Sequence, residues 1–166
     1  MEELSKKLKK FKDISVKLTL SERFEDAEKM CAAALEMLEQ AEESEQKAVW
    51  ASEIRSAFAA VKMAEKDFEG AAGEYFKAVE SLISLPLCAR LAFAYDNLAK
   101  ALKAKGDAEG ALECKKSAVK ILVETMPEAS NVAAKKYFEI ASELEALNRA
   151  SEAIEMRRLA REAASK

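Results

Sequence analysis

Nucleophilic or metal chemistry in this 166-residue chain would have to begin from its cysteines, because it has no histidine. Cys31, Cys88 and Cys114 form no Cys-x-x-Cys pair, and their odd number argues against a disulfide framework. Each sits in a helical apolar pattern, where a free cysteine reads as a small buried hydrophobe. Losing histidine removes the commonest general base and the commonest nitrogen ligand for a metal. The chain has no glycine-rich phosphate loop, no Gly-x-Ser-x-Gly and no paired-cysteine metal motif. Carboxylate pairs such as Glu42–Glu43 lie in charge-rich helical stretches, without the desolvation that general acid–base work requires. The expectation is no enzymatic activity, no cofactor and no metal site.

The remaining residue chemistry is that of recognition. Residues 4–12, LSKKLKKFK, carry five lysines, with Leu4, Leu8 and Phe11 on one helical face. Such a helix could lie on an anionic membrane. The stripe continues into Ile14 and Leu18, however, which reads as the core face of a first helix and weighs against membrane contact. Trp50, the single tryptophan, reads as a packing residue ahead of a binding hot spot. A net charge of −3 and a pI near 5.4 weigh against nucleic acid as a partner. No apolar run reaches the roughly 18 residues of a membrane span. The longest, from Leu82 to Ala94, is interrupted by Pro86 and Arg90. The start, MEELSKKLKKFKD, has no apolar stretch of signal-peptide type, so a cytoplasmic protein is expected.

The elements that must position these residues are helical. Half the chain is hydrophobic and 34% charged, and 4 Gly and 2 Pro are too few turn-formers for a sandwich or barrel. One pattern repeats. Ala27, Ala71, Ala111 and Ala153 are spaced 44, 40 and 42 residues apart. Each has an alanine seven residues on, at Ala34, Ala78, Ala118 and Ala160. Each has a small residue twelve residues back, at Ser15, Ala59, Ala99 and Ala141. Large apolar residues accompany them at helical spacing, such as Tyr95, Leu98, Leu102, Leu112 and Val119, or Tyr137, Ile140, Leu144, Ile154 and Leu159. Antiparallel helices cross closely only where side chains are small, so the alanines predict helix pairs and the larger residues lock neighbouring pairs together. Gly106–Asp107, Lys66–Asp67 and Asn148–Arg149 mark turns within pairs. Ser21 is expected to cap the second helix of the first pair, and a break is expected near Glu43–Gln46. Pro86 and Pro127 fall between pairs.

The stretch YDNLAKALKAKGDAEGALECKKSAVKI resembles the tetratricopeptide repeat (TPR) through Tyr95, Leu98, Ala99, Leu102, Gly106, Asp107, Ala111 and Ala118. The fourth unit matches well with Asn148–Arg149 at its turn, and the first two units are degenerate. The family period is about 34 residues, so the longer period here suggests longer helices, as in the TPR-like arrays of kinesin light chains or of the SNAP vesicle-fusion adaptors. The resemblance implies an all-α, TPR-like solenoid of about eight helices coiled into a right-handed superhelix. It implies a single domain over residues 1–166, with units 4–44, 46–85, 86–126 and 128–166.

The resemblance also implies a concave groove lined by first helices, which binds a peptide or a helix. Its lining would be Lys9, Lys12, Asp13 and Val16 in the first unit and Glu53, Ser56, Ala57, Ala60 and Met63 in the second. The third would supply Phe93, Asp96, Asn97, Lys100 and Lys103, and the fourth Lys135, Phe138, Glu139 and Ser142. The residues singled out for binding are Ser56, Ala57, Ala60, Phe93, Asp96, Asn97, Lys100, Lys103 and Phe138. A subset of the family grips C-terminal carboxylates with a Lys, Asn, Asn, Lys and Arg clamp. Val16, Ala57, Phe93 and Asn97 stand where four of those residues belong, which argues against that ligand. The function expected is a non-catalytic scaffold or adaptor with a protein or peptide partner. Two alternatives are self-assembly into a homodimer through an apolar last helix carrying Ile154, Met156 and Leu159, and a membrane-surface adaptor held by the basic first helix.

Overall fold

The structure is a computed structural model, and it describes residues 2–86 and 88–165. Among them are eight α-helices and no strand. They are α1 (Glu2–Leu20), α2 (Phe24–Glu39), α3 (Glu45–Ala64), α4 (Phe68–Ile83), α5 (Ala89–Lys105), α6 (Ala108–Thr125), α7 (Ser130–Ala146) and α8 (Ala150–Ala164). Pro127 opens a single 3-10 turn, Pro127–Ala129, ahead of α7. Pro86 lies between α4 and α5, where its missing N–H interrupts no helix.

The turns inside the pairs share one backbone plan. Glu22, Lys66, Gly106 and Asn148 each take a left-handed φ, of 57°, 66°, 96° and 58°. Each lies five residues before its anchor alanine, so the left-handed position repeats with the same 44, 40 and 42 spacing as the alanines. The residue after it sends its N–H back to a carbonyl of the first helix. These bonds run Arg23 to Leu18 at 2.9 Å, Asp67 to Lys62 at 2.9 Å, Asp107 to Leu102 at 2.8 Å and Arg149 to Leu144 at 2.8 Å. This is the six-to-one closure of a Schellman motif, which satisfies carbonyls a helix end would otherwise orphan.

The side chains of the turns fall into two types. Asp67 and Asp107 cap the following helices, accepting the Gly70 and Gly110 N–H at 2.9 and 2.8 Å. A Cβ on Gly70 or Gly110 would stand 2.2 or 2.5 Å from the capping carboxylate, so glycine is what lets the aspartate fold over the helix end. Arg23 and Arg149 occupy the same place without capping and instead pair with acids three residues on, Asp26 and Glu152. Ser21, expected as a cap, donates its hydroxyl to the Lys17 carbonyl at 3.0 Å, and Arg23 holds the N-cap position. Glu22 holds the left-handed turn position common to all four turns, so the residue after it, and not Ser21, precedes the helix. The break between the first two pairs falls as the sequence indicates, with Ser44 capping α3 through the Lys47 N–H at 3.1 Å.

All twelve small positions of the repeat are at most 2% exposed. They form the spine on which the helices of a pair meet. Larger residues fill the spaces beside it. In the α1–α2–α3 layer Leu8, Cys31, Leu38 and Ile54 are buried, with Phe11, Trp50 and Phe58 packed against them. Burying Leu8 completely uses the apolar stripe of the lysine-rich helix for the core. Glu74, 9% exposed on α4, is paired with Arg55 of α3 at 3.0 Å and Lys77 at 2.6 Å, the partners a buried carboxylate requires.

Two expectations about single residues are corrected. Cys88 lies just ahead of α5, not within a helix, and its carbonyl accepts the Leu91 N–H at 3.0 Å. Ile154, counted among the residues that lock neighbouring pairs, is 70% exposed, as the alternative of an apolar edge on the last helix had it. The equivalent position one residue after the anchor faces the next pair in α2, where Glu28 meets Lys62 of α3 at 2.8 Å. No helix follows α8 among the described residues, so Ile154 is left uncovered.

By backbone proximity the chain divides into two compact units. The first takes in Met1–Pro86 with Ala104–Gly106, and the second Leu87–Lys103 with Asp107–Lys166. In the first, α1 packs on α2, α2 on α3, α1 on α3 and α3 on α4. In the second, α6 packs on α7 and α7 on α8.

Candidate protein-interaction surface

In the first unit, the first-helix face mixes small or short apolar residues with the charges of Lys9, Lys12, Asp13 and Glu53. Val16 on α1 is 49% exposed and Ala60 on α3 is exposed, while Ser56, Ala57 and Met63 are half-buried. Lys12 bridges to Glu53, tying α1 to α3, and its ammonium lies 5.4 Å from the centre of the Trp50 ring. The Trp50 indole N–H donates to the Ser5 hydroxyl at 3.0 Å. Trp50 is therefore a packing residue between α1 and α3, sandwiched by a cation and tied at its polar end.

The second unit carries a different face. Phe93 on α5 and Phe138 on α7 are 58% and 40% exposed. Asp96, three residues after Phe93, pairs with Lys136 of α7. Asn97 is half-buried and accepts from Lys100 at 3.2 Å. Lys103 reaches Glu143 of α7 at 2.7 Å, and Lys115 of α6 holds both oxygens of the same carboxylate at 2.7 and 2.8 Å. Burial works to raise the Glu143 carboxyl, but the hydrogen bonds from Lys103 and Lys115 outweigh it and hold it below the usual range. The hydrogen bond to Glu143 in turn raises the Lys103 ammonium.

The structure thus brings Phe93, Asp96, Asn97, Lys100, Lys103 and Phe138 onto neighbouring stretches of α5 and α7, and places Ser56, Ala57 and Ala60 on α3 of the other unit. Asp96 and Lys103 are already ion-paired within the fold. Their partners Lys136 and Glu143, with Lys115, were missed by reasoning from the sequence. A signal for the first two existed. Asp96 to Lys136 and Lys103 to Glu143 are both separations of 40 residues, and Lys12 to Glu53 is one of 41. Opposite charges one period apart on successive first helices mark inter-pair rungs. Lys115 lies on a second helix, outside that pattern.

The thiols face apolar surroundings. Burial raises the Cys31 thiol, against a hydrogen bond with Ser15. Burial, then the Asp107 and Glu113 carboxylates, pushes Cys114 up to about 11. Both are poor nucleophiles near neutral pH. Among the described residues no group of acids and cysteines is arranged to hold a metal ion. No described helix is long and apolar enough to cross a membrane.

The last helix departs from the others on its outer side. The positions that hold Cys31, Leu35 and Leu38 in α2 hold Arg157, Arg161 and Ala164 in α8. Arg157 lays both nitrogens on Glu145 at 2.9 Å. Met156 and Leu159 are half-buried, so Ile154 is exposed among charged neighbours without forming an apolar stripe.

No family model and no curated protein sequence matches the chain. Solved structures do match. The apo form of RapI superposes with a TM-score of 0.72 at 15% identity, over 96% of this chain and 56% of that one. BtubC (BKLC) from P. vanneervenii gives 0.71 at 17% identity, over 93% of this chain and 62% of that one. The nearly identical TPR-like repeats of a kinesin light chain from Podosopora anserina give 0.51 at 15% identity, over 99% and 98%. This chain spans little more than half the length of the first two.

Proposed function

We propose that this chain, whose fold is that of TPR-like helical repeats, is a non-catalytic protein-interaction scaffold that takes a peptide or helix on the faces of its first helices. The observation that carries the reading is the pair Phe93 and Phe138, 58% and 40% exposed, set beside the Asp96–Lys136 rung and the Asn97 amide. Two phenylalanines this exposed offer a partner apolar area next to polar groups that fix orientation. In the first unit, taken by itself, Ser56, Ala57 and Ala60 give a surface without bulk where a ligand backbone can lie close. The rungs hold the helices in place without being consumed, so Asp96 and Lys103 act as rigid edges of the site. That the four pairs work as one domain, as an adaptor in the cytoplasm, belongs to the same proposal.

The alternatives have less support on this surface. Membrane insertion of α1 would expose Leu8, which is fully buried in the core. Dimerisation through α8 would have to seat Ile154 beside Arg157 and Arg161. The test is affinity capture from a native lysate, wild type beside Phe93→Ser/Phe138→Ser, each checked for helicity by circular dichroism and for mass by light scattering. A partner held by the wild type and lost by the folded double variant is the expected result. Equal capture by both would take the site off this face. A dimeric mass with no partner would replace the scaffold reading with self-assembly.

A further inference from the structure

The helices α5, α6 and α7 enclose a cavity of about 240 Å³ lined by Lys100, Lys115, Lys136, Asp96, Glu139 and Ile140. Three ammonium groups reach it, one from each helix. Two are matched inside the protein, Lys136 by Asp96 and Lys115 by both oxygens of Glu143. Lys100 is different, because its hydrogen bond, at 3.2 Å, goes to the neutral amide oxygen of Asn97. An ammonium that shares a cavity with two others and holds only a neutral acceptor gains most from an incoming anion. Glu139, also in the lining, limits how much negative charge the cavity accepts.

We infer that this cavity is an acidic-residue subsite, in which Lys100 forms an ion pair with one aspartate or glutamate side chain of the bound peptide. The inference rests on the scaffold reading and names the chemistry of its ligand. Among the described residues Lys100 is the one lining ammonium without an ion-pair partner, which suits a single monoanionic carboxylate, and a phosphate dianion would need a second unmatched cation. The space admits a side chain of glutamate size with water to spare. Phe93 and Phe138 lie outside this lining, so apolar residues flanking the acid are the natural neighbours in the ligand.

The test uses acetyl-Ala-Phe-Glu-Phe-Ala-amide and its glutamine twin, titrated into the ¹⁵N-labelled full chain, with inorganic phosphate as a third probe. The expected result is shifts centred on Lys100, Lys115 and Lys136, and about tenfold tighter binding of the glutamate peptide, the value of one charge-assisted hydrogen bond. That preference should shrink as salt is raised. Lys100→Gln should abolish it while leaving the affinity for the glutamine peptide unchanged, and Glu139→Gln should enlarge it. Equal binding of the two peptides, a preference that survives Lys100→Gln, or no shift at the three lysines with any probe would overturn the inference. Phosphate bound more tightly than the glutamate peptide would overturn it in favour of a phosphate site. If lysate capture still depends on Phe93 and Phe138 while these titrations fail, the scaffold reading stands and only the acidic subsite falls.

Discussion

The two compact units are each built on the same pattern of small residues and present different faces. In the first, α1 and α3 offer Val16, Ala57 and Ala60, small or short apolar groups. In the second, α5 and α7 offer Phe93, Phe138, Asn97 and Lys100, set around two ion-paired rungs. Every spine position in both is 2% exposed or less. The difference therefore costs the fold nothing, because the residues that differ are those the helix crossings do not use. The comparison separates two kinds of position on one helix turn. Those on the spine are fixed by close approach, and those a few residues away are free to be selected for a ligand.

The largest predicted effect tests that separation with one substitution made twice. Ala111→Leu puts three extra carbons into a crossing that is 2% exposed and should destabilise by about 1–3 kcal/mol. Ala60→Leu makes the same change on an exposed first-helix position and should stay within about 0.5 kcal/mol. Urea unfolding followed by circular dichroism measures both. Equal losses would mean that the exposed face carries packing after all.

Glycine gives the next contrast, with opposite signs. At Gly110 a Cβ would stand 2.5 Å from the Asp107 carboxylate, so Gly110→Ala must displace the cap and should cost about 1 kcal/mol. At Gly73, inside α4, a Cβ would meet nothing within 4 Å. Gly73→Ala should therefore stabilise by about 0.5–1 kcal/mol through helix propensity. Thermal melts of the two variants against the wild type would show it, and a stabilised Gly110→Ala would remove the cap from the account of the turns.

These turns also show how far the sequence could be read. The spine was legible, since small residues at fixed offsets have one reason to be there, and the Gly-Asp and Lys-Asp breaks announced their caps. The Arg23 turn was not, because an arginine at an N-cap position carries no capping signal and its role depends on Asp26 three residues on. Ile154 was open to two readings, a residue locking a neighbouring pair or part of an exposed edge, because periodicity says which face a residue takes but not whether a following helix covers that face. On the candidate surface, residue identities were legible and their engagements were not. Asp96 and Lys103 looked available, and their partners sit one repeat away at a distance the pattern shows only once charges are compared across units.

The fourth turn adds a smaller, pH-dependent term. Arg149, then Lys116, hydrogen-bonds Glu152 and lowers its carboxyl from 4.5 to about 2. A depressed carboxyl contributes stability that is complete above its unfolded value and lost as pH falls through the folded one. The contribution of this ion pair should thus fade between about pH 4.5 and 2. Glu152→Gln should lower the melting temperature at pH 6 and converge with the wild type near pH 2. Parallel curves over that range would show that the Arg149–Glu152 pair, largely solvated, does not support the turn.

The smallest expected effect on stability bears most on function. Phe93→Ser and Phe138→Ser remove large apolar side chains that are already 58% and 40% exposed. Each should change stability by less than about 0.5 kcal/mol, whereas removing a buried phenylalanine typically costs about 3–5 kcal/mol. If urea unfolding gives the small value, the two aromatics are carried on the surface without serving the fold. A solvated phenylalanine pair that the core does not need then calls for an explanation in binding. If either serine variant loses several kcal/mol, that phenylalanine is part of the packing, the faces of the two units differ less than their composition suggests, and the interaction surface must be sought away from α5 and α7.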